Sequence, residues 1–340
     1  MHAEMPSWPT HSFRAMGSQI TLWVEADATS AAAAFAEAEA LFATNERALS
    51  RFDTTSELCA LNRQSGTWFA ATPLLWDVVM QAIELAGLTD GLFDPTLLNA
   101  LEAAGYTRSF VLMQAAGNPA DAAADGPSVP NSPSQAWAAV ALDRNRQAIK
   151  VPAGVRLDLG GIGKGYTAQQ CVRLLAQWGP ALVDAGGDLV AGAAPHGLPG
   201  WPVAVAAPSA TPAGAPAAAE VADDLLQLWL AKATLATSGI DYRRWQHDGQ
   251  WRHHLIDPRT GEPAVTDLIT ATVYHRSAVD AEAWAKVALL LGITNGMARL
   301  TEERIAGALA GVDGQVQISP AMAALTGTPT TAEVAHHALE

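Results

Sequence analysis

The run Asp158-Leu159-Gly160-Gly161-Ile162-Gly163-Lys164-Gly165-Tyr166 constrains this chain more than any other stretch, because four glycines crowd the entry to a segment of helical periodicity. Glycine lets a backbone approach an anion closely, and the first turn of a helix presents N–H groups without intrahelical partners. Lys164 adds a positive charge at the same place. From Thr167 to Trp178 the apolar positions Cys171, Leu174, Leu175 and Trp178 lie three and four residues apart, with Gly179 as a stop. The expectation is a phosphate cradle opening an amphipathic helix and suited to a diphosphate-bearing ligand. Taken alone, the run is equally a tight turn with no ligand. It is not a Walker loop, since neither Ser nor Thr follows the lysine, and its spacing lacks the dinucleotide fingerprint, which argues against a generic dehydrogenase.

Net charge narrows the choice of ligand. The chain of 340 residues carries 20 Lys and Arg against 34 Asp and Glu, a formal charge of −14, which disfavours broad binding to nucleic acid or anionic lipid. An anionic cofactor must then be held by local positive groups such as Lys164 and a helix N-terminus. With 49% hydrophobic residues the chain can bury a sizeable core. Its two cysteines, Cys59 and Cys171, suggest no disulfide framework. Residues Met1 to Pro9 lack a basic n-region and an apolar h-region, and no later stretch has the length of a membrane span. The protein as written is expected in the cytoplasm, or exported to the periplasm if a signal peptide was removed. Eleven tryptophans are scattered as packing residues and form no stacking platform for nucleic acid.

Ile20 to Glu25 alternates as a strand, and Thr29 and Ser30 are placed to cap an alanine-rich helix reaching about Leu49. Pro73 to Ala86 has a second helical pattern, and Asp94 to Tyr106 begins as a turn and continues helically. Two stretches, about 114–135 and 193–219, are rich in Ala, Pro and Gly and read as loop excursions, the second enclosing a strand at Pro202 to Ala207. Strands are expected at Trp251 to Ile256 and Leu268 to His275. Ser277 to Asp280 has the form of a capping box for a helix to Leu291, stopped by Gly292, and a helical tail follows Ser319. The expected fold class is α+β, with one compact unit over 13–318 and terminal segments at 1–12 and 319–340.

The glycine run does not stand alone. Phe13-Arg14-Ala15-Met16-Gly17-Ser18, Leu49-Ser50-Arg51-Phe52 and Gly91-Leu92-Phe93-Asp94-Pro95-Thr96 precede it. Leu182-Val183-Asp184-Ala185-Gly186-Gly187-Asp188-Leu189-Val190, Ala236-Thr237-Ser238-Gly239 and His253-His254-Leu255-Ile256-Asp257-Pro258-Arg259-Thr260-Gly261 follow it. In this order, from about Phe13 to Gly292, the set resembles the ApbE family, the FAD:protein FMN transferases. The resemblance implies mixed sheets packed with helices, and FAD in a cleft between subdomains. It implies transfer of FMN from FAD through a phosphoester bond to a Thr or Ser of a flavoprotein partner, with release of AMP. It also leaves open a non-catalytic FAD-binding or flavin-delivery protein, and an FAD pyrophosphatase giving FMN and AMP. Many members of the family are exported lipoproteins.

Residue by residue, the resemblance places Met16, Phe52, Leu92, Phe93, Asp94, Asp158, Lys164 and Leu255 around FAD, with Phe52 where a tyrosine is common. Met16 and Phe93 read equally as core packing, and Asp158 as a residue that ties off its own turn. Lys164, His254 and Asp257 are the catalytic candidates, His254 as general base or as donor to a phosphate, although one histidine on a strand is more often structural. His253 is expected on the opposite strand face. Family members hold magnesium through a carbonyl of the glycine run, here Gly161, and through an Asp and a Thr four residues apart on the late helix. Aligning Asp280 with the aspartate puts Trp284 at the Thr position and needs two extra residues before Gly292. Aligning Glu282 needs no gap and puts Lys286 there, and this register is preferred. A lysine would repel a cation and could itself contact the diphosphate, which puts magnesium in doubt; Glu282 and Lys286 could also be an ordinary surface pair.

Overall fold

Eight strands form the central sheet of the computed structural model, which describes residues 7–115, 135–207 and 224–326. They are β1 (Thr10–Ala15), β2 (Ser18–Val24), β3 (Ala181–Ala185), β4 (Leu189–Ala191), β5 (Ala233–Gly239), β6 (Leu268–His275), β7 (Ala306–Gly311) and β8 (Val316–Ile318). Each pairs antiparallel with the next, so the order across the sheet follows the chain. The period-two alternation of their side chains divides the molecule. Ile20, Leu22, Val24, Val183 and Val190 point to one layer, where α1 (Ala28–Leu49) packs on α3 (Gly163–Leu175). Further along the same face, Ala271, Val273 and Leu309 meet α4 (Ala278–Glu302) and α2 (Pro73–Leu88). On the other face Leu182, Ala191, Ala233, Leu235 and Ala308 are covered by a hairpin of Trp201–Ala206 and Asp224–Leu230.

Helix ends follow local hydrogen-bonding chemistry. Asp27 caps α1, its Oδ1 accepting from the N–H groups of Thr29 and Ser30, so the cap lies two residues before the expected hydroxyls. Thr72 caps α2 with Pro73 in its first position, and Ser277 caps α4 as its motif predicts. At Gly292, with φ 76°, α4 breaks and then resumes to Glu302, where the sequence suggested a stop. The expected helix after Asp94 is shorter, Leu98–Ala103, and Leu268–His275 matches its expected strand. The Trp251-to-Ile256 expectation divides into Gln250–His253 and Ile256–Asp257. The strand expected at Pro202 to Ala207 is Trp201–Ala206. Much of both loop excursions (116–134 and 208–223) and the end of the tail (327–340) lie outside the described residues; Pro320–Thr326 is helical. Among the described residues no helix is long and apolar enough to cross a membrane.

Candidate active site

The glycine run folds into a turn fixed largely from within. Asp158 donates its N–H to Pro95 O at 2.8 Å and accepts from Gly160 N–H at 3.0 Å, while Ile162 and Gly163 both donate to Leu159 O. The helix therefore starts at Gly163, four residues before the periodic stretch, and Lys164 is its second residue. Tyr166 fastens α3 to α2 by donating to Asp77 Oδ2 at 2.7 Å. Opposite the turn stands α4, which presents Glu282 and Lys286 one helical turn apart. Glycine is needed at the two closest approaches. A Cβ on Gly165 would lie 2.7 Å from Glu282 Oε2, and one on Gly161 would lie 3.1 Å from Phe93 and 3.3 Å from Lys286 Cε.

Lys164 and Glu282 meet inside this junction. Lys164 Nζ donates to Asp188 Oδ2 at 2.6 Å and to Glu282 Oε1 at 3.0 Å, with all three side chains almost fully buried. Glu282 Oε2 accepts the Gly165 N–H at 3.2 Å. One of the first-turn amides expected to be free for a phosphate is thus already taken by a carboxylate, as the positive end of a helix favours. Lys286 Nζ donates to Gly161 O at 2.8 Å and to Glu282 O at 3.1 Å. Asp188 arrives on the turn after β3, where Gly186 and Gly187 adopt φ of 71° and 96°, and its Oδ1 accepts from Thr237 N–H. Burial alone would lower the Lys164 pKa, but Asp188 and Glu282 hold it above the ordinary lysine value. Burial also works against the Asp188 carboxylate, yet Lys164 keeps its pKa low. For Glu282 burial wins and raises the pKa, and for Lys286 burial, aided by the Lys164 charge, lowers it.

These donors do not fit a hard divalent cation. Such an ion takes oxygen ligands in a near-octahedral set, whereas here Gly161 O already accepts an ammonium and both Glu282 oxygens are occupied. No group of three or more His, Cys, Asp and Glu side chains suited to a metal occurs among the described residues. Trp284, from the rejected register, is buried in the core, while Glu282 and Lys286 face the glycine turn.

Of the residues expected at the flavin nucleotide, Met16 and Phe93 lie directly against the turn. Met16 occupies the two-residue β1–β2 turn with φ 52°, followed by Gly17 at 70°. Positive φ at both central residues suits the twist of a hairpin, but for methionine it costs about 1 kcal/mol. Its Cε lies against the start of α3, 3.6 Å from where a Gly163 Cβ would be. Phe93 is buried in the core beside Gly161, and Leu92 and Leu255 belong to the same apolar cluster. Asp94 accepts from both the N–H and the hydroxyl of Thr96, and burial raises its pKa. Phe52 is 40% exposed. Beside it is Arg51, a residue the sequence reading passed over although its motif was in view. The Arg51 guanidinium lies 4.1 Å from the Phe52 ring centroid and 4.4 Å from that of Tyr106, with its Nε 3.8 Å from Asp158. Its buried Nη2 has no hydrogen-bond partner among the described residues.

His254 is partly buried, and its Nδ1 is a buried nitrogen without a hydrogen-bond partner among the described residues. Burial first, then the charges of Arg243, His253, Lys286 and Lys164, push its pKa well below the usual histidine value, so the imidazole is neutral. His253, by contrast, is tied up structurally. Its Nε2 donates to Ala264 O at 3.0 Å, leaving Nδ1 to accept from Leu255 N–H. Asp257 stands apart from the lysines, clamped by Arg259 through contacts of 2.9 Å and 2.6 Å, and Arg259 also reaches Leu290 O on α4. Burial would raise the Asp257 pKa, but the Arg259 hydrogen bonds hold it low, so it remains a carboxylate that braces its turn. Arg243 is a second residue the sequence did not disclose. It donates to Ser18 Oγ at 3.2 Å across 225 positions, and its charge bears on His254, Lys164 and Lys286. Asp188 could have been found from its position directly after Gly186-Gly187, since paired glycines before an acid mark a built turn.

Comparison with known proteins bears on the fold and on the order of the motifs. A sequence profile of the ApbE family matches residues 16–309. An FAD:protein FMN transferase of Treponema pallidum is 30% identical over 284 residues, covering 79% of this chain and 74% of that protein. One from Chlamydia trachomatis is 26% identical over 269 residues, 73% of each. Among solved structures, the ApbE protein of Thermotoga maritima has a TM-score of 0.77 at 21% identity, covering 94% of this chain and 99% of its own. The flavinyl transferase ApbE of Pseudomonas stutzeri in its apo form gives 0.75 at 20%, covering 95% and 98%. Fold, order of motifs and the length matched lead to one assignment: the chain belongs to the ApbE family.

Proposed function

We propose that this chain is an FAD:protein FMN transferase, moving FMN from FAD to a Thr or Ser hydroxyl of a flavoprotein partner. The observation that carries the reading is the pairing of two partly buried ammonium groups at the glycine turn with a neutral imidazole whose Nδ1 has no partner among the described residues and which is close enough to feel their charge. Lys164 and Lys286 each have three N–H donors and spend two on protein acceptors. Each keeps one donor for a phosphate oxygen, and charge neutralisation of that kind dominates phosphoryl transfer. FAD would lie in the cleft across this turn, with Phe52, Leu92, Phe93 and Leu255 offering apolar surface and Met16, Asp94 and Asp158 shaping the walls.

In the reaction the acceptor hydroxyl oxygen attacks the phosphorus of the FMN half. The anhydride bond to AMP breaks, AMP leaves with the bonding electron pair, and the hydroxyl proton passes to the His254 imidazole. A base must be unprotonated at working pH to accept that proton, and the burial of His254 ensures this. Lys164 and Lys286 hold the diphosphate and offset the charge that develops on it. Asp257 supports the site by fixing the turn after His254 against α4 through Arg259.

Incubation with FAD and a Thr-containing acceptor peptide should release AMP and yield a flavin-bearing peptide, both detectable by mass spectrometry. Tight FAD binding with neither product would sink the transferase reading and leave a flavin carrier. AMP and FMN formed equally with and without peptide would indicate hydrolysis.

A further inference from the structure

The metal position implied by the family resemblance and the side chains of this chain disagree, and the disagreement has a definite form. Gly161 O, the carbonyl that would ligate an ion, accepts a hydrogen bond from Lys286 Nζ at 2.8 Å. Glu282, the acidic residue one helical turn earlier, spends its carboxylate on Lys164 at 3.0 Å and on the Gly165 N–H at 3.2 Å. A divalent cation could enter only by displacing one ammonium and lying beside another, against the Arg243 charge as well. The Lys286 ammonium needs no displacement to meet a phosphate, since one of its three donors has no partner among the described residues.

We infer that Lys286 serves as a fixed, built-in cation that neutralises the diphosphate of the flavin nucleotide, so that this chain binds FAD without a divalent metal ion. The inference rests on the reading of this site as the FAD diphosphate site. It makes the lysine a binding residue and not the surface pair its spacing from Glu282 would suggest. It also accounts for the small side chain opposite, since a Cβ on Gly161 would press on Lys286 Cε at 3.3 Å.

The test is FAD affinity by isothermal titration calorimetry, with protein dialysed against EDTA and then supplied with magnesium. For the unaltered chain the two dissociation constants should agree within about twofold. The Lys286→Thr variant, its folding checked by thermal melting without FAD, should lose about tenfold or more in EDTA. Recovery of part of that loss on adding magnesium would show the cation's place refilled. Two results overturn the inference: unaltered protein whose affinity falls tenfold or more in EDTA, or Lys286→Thr that binds in EDTA as tightly as the unaltered protein. If Lys286→Thr does not fold, the comparison on the unaltered chain still decides. Absence of FAD binding in both buffers removes the flavin site itself, and this inference with it, a result distinct from dependence on metal.

Discussion

The two faces of the central sheet solve burial in opposite ways. Under the hairpin of Trp201–Ala206 and Asp224–Leu230, side chains of the sheet meet Trp201, Val203, Leu226 and Leu230 in an apolar layer. On the helix-covered face, where α3 and α4 converge, the buried carboxylates of Asp188 and Glu282 meet the partly buried Lys164 and Lys286. Replacing the first layer with other apolar residues of similar volume changes little, whereas the second is a set of charges each tolerable only because of the others. The apolar layer therefore contributes stability, whereas the charged layer costs some of it, and under the proposed function that cost places two ammonium groups at the diphosphate.

The largest effect is expected from Lys164→Met. It leaves Asp188 and Glu282 without their shared ammonium, a loss of about 3–5 kcal/mol in urea unfolding, and removes a phosphate donor, so FAD binding by any surviving folded protein should vanish in calorimetry. Unchanged FAD affinity in that variant would erase the contrast between the faces. Trp201→Ala, on the dry side, should cost about 3 kcal/mol of stability while leaving FAD affinity of the folded protein unaltered. A matched loss of affinity would mean the two faces are coupled. His254→Gln should lower flavin transfer by about 10²-fold with FAD affinity retained, which rapid-quench kinetics can separate.

Smaller still is the pH effect of the same histidine. Because the folded-state pKa of His254 is depressed, the unfolded chain takes up a proton below about pH 6.5 while the folded chain does not. Stability should fall as the pH drops below that value, with His254 contributing about 1.4 kcal/mol per pH unit until its folded pKa is reached. His254→Gln should flatten that limb in denaturation curves taken at a series of pH values, and an unchanged slope would contradict the neutral imidazole. Least is expected from Phe52→Ala, about 1 kcal/mol or fivefold in FAD affinity, since the ring is partly exposed and already stacked on Arg51.

Elements whose signals are local were legible beforehand. Leu268–His275 alternates, Ser277 announces a cap, and Gly292 breaks a helix even though the chain resumes it. The glycine run was recognisable as a turn before a helix, but the early helix start at Gly163 was not, because Gly163 to Tyr166 carries no apolar period. Family resemblance singled out Lys164, His254 and Glu282 as candidates, and the structure brings Lys164 and Glu282 into contact. Arg243 and the contact of Arg51 with the Tyr106 ring were invisible, since Ser18 and Tyr106 lie far along the chain from them.

Glycine spacing, periodicity and motif order by themselves determined the α+β class and the family likeness and pointed to a candidate site, because these depend on backbone freedom and on side chains close in sequence. Only the tertiary structure decided that Glu282 caps the start of α3 and that Lys286 donates to Gly161 O. Whether an acid and a lysine four residues apart form a solvated pair or a buried charge centre depends on what packs opposite the helix. Here that is a glycine turn more than a hundred residues earlier, which Lys286 and Glu282 approach closely at Gly161 and Gly165, where no Cβ stands in the way.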